Sequence, residues 1–148
     1  MSEPRPSEPA SLEGGRLPAV DDAVDAVRLA RRQGRGIGAF NVVLLEHAEA
    51  IVAGAARAGL PVVLQISQNC VAYHGAFEPI ALATLSLARH AGVPAVVHLD
   101  HAEDIALVHE AVAAGIHSVM YDGSHLPYEE NVRATRAVVE HCHARGVV

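Results

Sequence analysis

The chain has 148 residues, 51% hydrophobic and 19% charged, a composition typical of one soluble globular domain with a hydrophobic core. Its net charge of −6, with 11 Lys and Arg residues and no basic cluster, argues against nucleic acid as a partner. No apolar run approaches the ~20 residues that a membrane-spanning helix needs, so we expect no membrane partner.

The composition of residues 1–17 does not favour a folded structure. Residues 1–17 are rich in Pro, Ser and Glu and lack the apolar segment of a secretory signal, which indicates a disordered leader over 1–17. Two cysteines, Cys70 and Cys142, do not make a disulfide framework. We therefore expect a reducing, cytoplasmic setting.

Residues 18–148 repeat one local pattern, in which a helical segment stops at a glycine and a short apolar run follows. A leading helix is predicted around 21–33. The glycines are at 36, 59, 92, 115 and 146, and the predicted strands are GIGAFN (36–41), PVVLQIS (61–67), PAVVHLD (94–100), HSVMYD (117–122) and an opening GVV (146–148). Pro127, followed by Glu129 and Glu130, predicts the start of the last helix.

Alternating strands and helices indicate an α/β fold of parallel strands joined by right-handed crossovers. Two architectures fit: a small doubly wound sheet, or a TIM (β/α)8 barrel of which this chain holds the N-terminal half. A complete barrel needs roughly 250 residues. We predict that 18–148 form a partial barrel with a leading helix, four βα units and the start of a fifth strand.

Polar residues stand at the end of each predicted strand, at the edge where α/β proteins place their sites: Asn41, Ser67, Asp100 with His101, and Asp122. Each also has a structural interpretation. Asn41 and Asp100 are residue types that cap helices, Ser67 suits a turn in the loop SQN, and His98 can pack beside the sheet with its polar atoms satisfied locally. Spacing alone predicts a site at this edge without naming its chemistry.

Five stretches in order resemble the class II (metal-dependent) fructose-bisphosphate and tagatose-bisphosphate aldolases, from residue 18 to residue 148. They are GAFNV (38–42), LEHAEAIV (45–52), PVVLQIS (61–67), VHLDHAED (97–104) and SVMYDGSHLPYEENV (118–132). The resemblance implies the N-terminal half of a (β/α)8 barrel. It also implies an enzyme of carbohydrate metabolism, acting in glycolysis, that reversibly cleaves a ketose 1,6-bisphosphate into dihydroxyacetone phosphate and an aldehyde.

Site roles follow from the same resemblance. Asp100 matches the proton donor and acceptor, and His101 matches the first ligand of the catalytic zinc. Asp122 matches a carboxylate that some members use at a second cation site. Ser67 matches a residue that contacts the aldehyde half of the sugar phosphate, and Asn41 lies in a motif lining the same pocket. Members of the family commonly form dimers or tetramers, so a homo-oligomer is expected for the full-length protein.

The residue types suit this chemistry. Cleaving a carbon–carbon bond leaves negative charge on a ketone oxygen, which a zinc ion can stabilise as a Lewis acid. The chain contains no lysine, so a Schiff base cannot form on it.

The resemblance also implies that parts of the site lie elsewhere. Two further zinc-binding histidines and the phosphate loops of the family come from later strands, so we expect the 148-residue chain alone to be inactive. An inactive half-barrel fragment or partner subunit is the alternative. A nucleotide-binding domain is disfavoured, because AFNVVLLEH after the first strand contains no glycine.

Overall fold

The computed structural model describes residues 23–148, and the leader predicted over 1–17 lies outside them. Helices and strands alternate along this part of the chain. In chain order they are α1 (Ala23–Arg32), β1 (Gly38–Asn41), α2 (Leu45–Ala58), β2 (Val62–Ser67), α3 (Gln68–His74), α4 (Glu78–Arg89), β3 (Ala95–Ala102), α5 (Ile105–Ala114), β4 (Ser118–Tyr121) and α6 (Tyr128–His143).

The four strands form one parallel sheet in the order β1-β2-β3-β4. This order follows the sequence without a reversal, whereas a doubly wound sheet changes direction at a switch point. Consecutive strands of a (β/α)8 barrel are adjacent in this way. The prediction of parallel βα units is confirmed. No helix among residues 23–148 is long and apolar enough to cross a membrane.

The two faces of the sheet differ in chemistry because successive strand residues point to opposite sides. On β2 and β3, Leu64, Ile66, Val97 and Leu99 are fully buried in the main hydrophobic core, against helices α2, α4, α5 and α6. This outer layer of helices covers the apolar side of β2 and β3. The residues that alternate with these apolar ones, several of them polar, point to the other face of the sheet, here called the inner face.

Helix α1 packs on the inner face near the amino ends of the strands. Ala26 of α1 is buried together with Val96 of β3, and Ile37 and Val63 pack against them. The amino end of the inner face is therefore closed by apolar side chains. The carboxyl end of the same face carries the polar residues.

Glycines end the helices largely as the sequence predicts. Gly59 and Gly115 take the left-handed conformation, with φ of +65° and +88°, and their backbone N–H groups donate to carbonyls of the last turn. After α1, however, the glycine with positive φ is Gly34 and not the predicted Gly36. The predicted loop after β2 is also different, since Ser67 is followed directly by the short helix α3.

The last residue pairs with the edge of β4. The backbone N–H of Val119 donates to the carbonyl of Val148 at 2.7 Å, and the N–H of Val148 donates to the carbonyl of His117 at 3.3 Å. Val148 therefore lies beside β4, where a fifth parallel strand would add to the sheet.

His117, directly before β4, is linked to β3 through its side chain, and we expect this link to make folding sensitive to acid. Its Nδ1 accepts a hydrogen bond from the Val97 N–H at 2.8 Å, and burial, aided by the charge of Arg89, lowers the pKa of His117. A pKa lower in the folded chain gives stability that is present above the unfolded value of about 6.5 and lost as the pH falls through the folded value. We expect the free energy of unfolding to drop by about 1 kcal/mol on acidification, the worth of one hydrogen bond.

Urea denaturation at several pH values checks this expectation. His117→Asn keeps an acceptor oxygen near the position of Nδ1 but does not titrate, so its unfolding free energy should vary less with pH than that of the unmodified chain. His143→Asn, at an exposed histidine near the end of α6, is the control and should leave the dependence unchanged. Equal pH dependence in His117→Asn and the unmodified chain would rule out this role.

Candidate active site

Asp100 lies at the carboxyl end of β3, on the inner face of the sheet. Its side chain is 12% exposed, and it is in register with Ser67 at the end of β2. A carboxylate this buried requires nearby polar partners. Two imidazoles provide them: His98 Nε2 lies 3.6 Å from one carboxylate oxygen, and His101 Nε2 lies 3.9 Å from the other.

His101 reaches the same edge because the strand is irregular there. Adjacent residues of a regular strand point to opposite faces, but the register of β3 with β4 shifts between Leu99 and Ala102. Among the described residues, His101 is the one non-glycine residue with positive φ, at +51°. The irregularity brings the imidazole, which is 61% exposed, beside the carboxylate of Asp100.

Asp122 follows β4 and fixes the other side of His101. Its Oδ2 lies 3.3 Å from His101 Nδ1, and its Oδ1 accepts a hydrogen bond from the Ser124 N–H at 3.0 Å. The hydrogen bonds from Ser124, and then that from His101, lower the pKa of Asp122 to about 2. A carboxylate that accepts Nδ1–H leaves Nε2 of the imidazole free, which is the arrangement usual for a metal-bound histidine.

Of the other two predicted site residues, Ser67 lies next to Asp100 on the neighbouring strand, and Asn41 lies further away on β1. The hydroxyl of Ser67 accepts a hydrogen bond from the Cys70 N–H at 3.2 Å and caps α3, so its local role is that of a helix cap and not the predicted turn residue. Its proton is still available to a ligand beside Asp100. Asn41 is in register with Gln65 and His98, two strands from β3, and is therefore not in contact with the Asp100 cluster.

The helix-capping alternatives are wrong for Asn41 and Asp100. The residue preceding α2 is Leu44, and the cap of α5 is Asp104, whose side chain accepts from the Ala106 N–H at 2.8 Å. Neither Asn41 nor Asp100 therefore serves the helix that follows it. Asp100 is buried at the strand end without a structural role in a helix.

Two polar contacts at the site were not foreseen from the sequence. His98 Nδ1 lies 2.6 Å from the Ser118 hydroxyl, and burial is the main reason that the pKa of His98 is lowered. Gln68 accepts hydrogen bonds from the N–H groups of Glu103 and Asp104 at 2.9 and 3.0 Å, which ties α3 to the loop after β3. Each of these contacts joins two different elements of the fold, so the spacing of residues along the sequence does not reveal it.

His101 is suited to one metal ligand, but the described residues do not complete a zinc site. A catalytic zinc typically takes three protein ligands. Within residues 23–148, no three His, Cys, Asp or Glu side chains converge closely enough to hold a metal ion. Any further ligands would have to come from outside this part of the chain.

Comparison with known families shows to which family the chain belongs. The model of the class-II fructose-bisphosphate aldolase family matches residues 21–148. The chain belongs to this family. In this member of the class II aldolase family, Asp100 and His101 lie at the carboxyl ends of the parallel strands, the edge at which (β/α)8 barrels place their sites.

Individual relatives agree with the family. This aldolase chain is 40% identical over 124 residues to a fructose-bisphosphate aldolase from Thermus caldophilus, which covers 84% of the chain and 40% of that protein. It is also 40% identical over 120 residues to a 6-phospho-5-dehydro-2-deoxy-D-gluconate aldolase from Shouchella clausii, covering 80% and 41%. The aldolase chain thus spans about two fifths of the length of these curated relatives.

Solved structures show the same fold. A putative fructose-1,6-bisphosphate aldolase from Coccidioides immitis superimposes with a TM-score of 0.80 at 32% identity, covering 85% of the aldolase chain and 49% of that protein. Together with the sequential strand order, this likeness confirms the predicted fold as a run of βα units from the N-terminal half of a TIM barrel.

Proposed function

We propose that residues 18–148 contribute the proton-transfer group and one zinc ligand of an aldehyde-lyase that reversibly cleaves a ketose 1,6-bisphosphate into dihydroxyacetone phosphate and an aldehyde. The observation that carries the proposal is the pair at the end of β3, where the buried carboxylate of Asp100 and the exposed imidazole of His101 lie 3.9 Å apart. A carboxylate can move a proton, and an imidazole with a free Nε2 can bind a metal.

In the cleavage direction, Asp100 accepts the proton of the C4 hydroxyl as the C3–C4 bond breaks, and in condensation it returns that proton to the aldehyde oxygen. Its partial burial keeps bulk water from competing for the same position. Ser67, in register beside it, retains a hydroxyl proton for the aldehyde half of the sugar phosphate. Asn41 lines the more distant side of the same face.

A zinc ion, when bound, would stabilise the negative charge that develops on the ketone oxygen. His101 would be one of its ligands. Asp122 receives the Nδ1–H of His101 and stays ionised, so it can orient this ligand and can also attract a second cation. By family likeness we also propose a cytoplasmic homo-oligomer for the full-length protein.

The alternative proposal is a half-barrel without catalytic activity, acting as a partner subunit or an inert fragment. It is favoured by the lack of three converging metal ligands among residues 23–148. The two proposals differ in what happens when the second half of a barrel is supplied.

A chimaera distinguishes them. The 148-residue chain is joined to the part of the Thermus caldophilus aldolase that follows its matching region, and cleavage of fructose and tagatose 1,6-bisphosphates and of the Shouchella clausii enzyme's substrate is assayed. We expect zinc-dependent cleavage of one of these by the chimaera and none by the 148-residue chain alone. The Thermus caldophilus part alone is the control. A folded, zinc-loaded chimaera that cleaves none of them would contradict the aldolase proposal and favour the alternative.

A further inference from the structure

A row of polar side chains crosses the inner face one layer below Asp100. Asn41, Gln65, His98 and Ser118 are in register on β1, β2, β3 and β4. In a barrel interior such a layer is costly to bury unless its members bond to one another or to a functional group. His98 is the member that extends toward Asp100.

Both ring nitrogens of His98 face a polar group. Nδ1 lies 2.6 Å from the Ser118 hydroxyl oxygen, and Nε2 lies 3.6 Å from Asp100 Oδ1. The side chains of His98 and Asp100 are only 17% and 12% exposed, so solvent reaches neither freely. These three residues form a chain from β4, through the sheet interior, to the carboxylate at the sheet edge.

With a neutral imidazole and an ionised carboxylate, the donors and acceptors of this chain have one consistent assignment. An ionised carboxylate only accepts, whereas a serine hydroxyl both donates and accepts. Every group is therefore satisfied when the Ser118 O–H donates to Nδ1 and the Nε2–H of His98 points at Asp100 Oδ1. In that arrangement Oδ1 faces His98 Nε2 at 3.6 Å, and Oδ2 is turned toward His101 and the open edge.

We propose that His98 is a positioning residue, fixed by Ser118, that holds one oxygen of Asp100 and leaves the other free to exchange a proton with the sugar phosphate. The proposal deepens the aldolase function and rests on it for its catalytic consequence. The 3.6 Å separation is longer than a hydrogen bond, and contacts of this kind shorten when substrate enters a site. Without His98, the Asp100 carboxylate would rotate between several orientations.

The first test needs no catalysis and uses the 148-residue chain. Long-range ¹H–¹⁵N correlation spectra distinguish the two neutral tautomers of each histidine. We expect the Nε2–H tautomer for His98. Two histidines give references in the same spectrum: His117 accepts at Nδ1 and must carry Nε2–H, while His90 faces a carbonyl at 2.8 Å through Nδ1 and must carry Nδ1–H. An Nδ1–H tautomer at His98 would overturn the proposed chain.

The second test uses the chimaera and separates positioning from folding. We expect His98→Leu to lower kcat by about 10- to 100-fold, the usual effect of removing a group that orients a site residue, with KM and bound zinc unchanged. His98→Gln places an amide N–H near the position of Nε2, so we expect it to recover most of the lost kcat. Equal impairment of both variants, or a rise in KM at unchanged kcat, would refute positioning. If the unmodified chimaera is inactive, the aldolase proposal fails while the tautomer result still decides the geometry.

Discussion

Replacing Asp100 by asparagine in the chimaera is expected to lower kcat by about 10²- to 10⁴-fold, the range that a general acid–base group contributes. Asparagine has the same shape and keeps an oxygen that can face His98 Nε2, but its amide cannot take up a proton near neutral pH. The Asp122 carboxylate, on the other side of His101, already accepts hydrogen bonds from His101 and from the Ser124 N–H. The variant should therefore bind substrate and fail at proton transfer.

Measurement of kcat, KM and zinc content together checks this expectation. KM and zinc should stay close to those of the unmodified chimaera, since Asp100 is assigned no ligand role. Asp104→Asn is the matched control, because Asp104 caps α5 four residues away and asparagine caps helices equally well. If Asp100→Asn retained kcat within about threefold of the unmodified chimaera, the role assigned to Asp100 would be wrong.

Leu99→Ala is expected to destabilise the chain by about 2–5 kcal/mol, the cost of removing a buried leucine from a packed core. Leu99 is fully buried in the main core although it lies between His98 and Asp100 in sequence. Its side chain points to the helical layer, opposite to its two polar neighbours. Since total stabilities are about 5–15 kcal/mol, this change removes a large share of the folding free energy.

Denaturant unfolding of the 148-residue chain measures the effect, with the midpoint and the slope recorded for each variant. Leu82→Ala on α4 is the matched control, because Leu82 is 47% exposed and should lose less than about 1 kcal/mol. A similar loss in the two variants would show that Leu99 is not packed as described.

Much of the fold is predictable from the sequence because two signals agree. Apolar runs of four to eight residues give the strands, and glycines such as Gly59 and Gly115 give the ends of the helices before them. Helix α3 escaped prediction because Ser67 and the residues after it are as common in loops as in helix starts. Strand β3 runs past its predicted end at Asp100 to Ala102, since the irregularity at His101 lets pairing resume.

The site is predictable only in part. Polar residues after apolar runs correctly indicate one edge of the sheet, because parallel strands end together. Contacts between strands depend on register, and the apolar runs locate the strands without pairing their individual residues. For this reason the 2.6 Å contact between His98 and Ser118, twenty residues apart, could not be foreseen. The same holds for the hydrogen bonds that Gln68 accepts from the loop after β3.

His101 has a backbone conformation that is unfavourable for a histidine, and the stability of the fold does not explain why a histidine is there. At a φ of +51°, glycine is the least strained residue, and side chains there cost of order 1–3 kcal/mol. Optimising this chain for stability alone would favour His101→Gly. A histidine at this position lowers the stability of the fold but presents a ring nitrogen at the open edge. Engineering this protein for heat resistance should therefore leave position 101 unchanged.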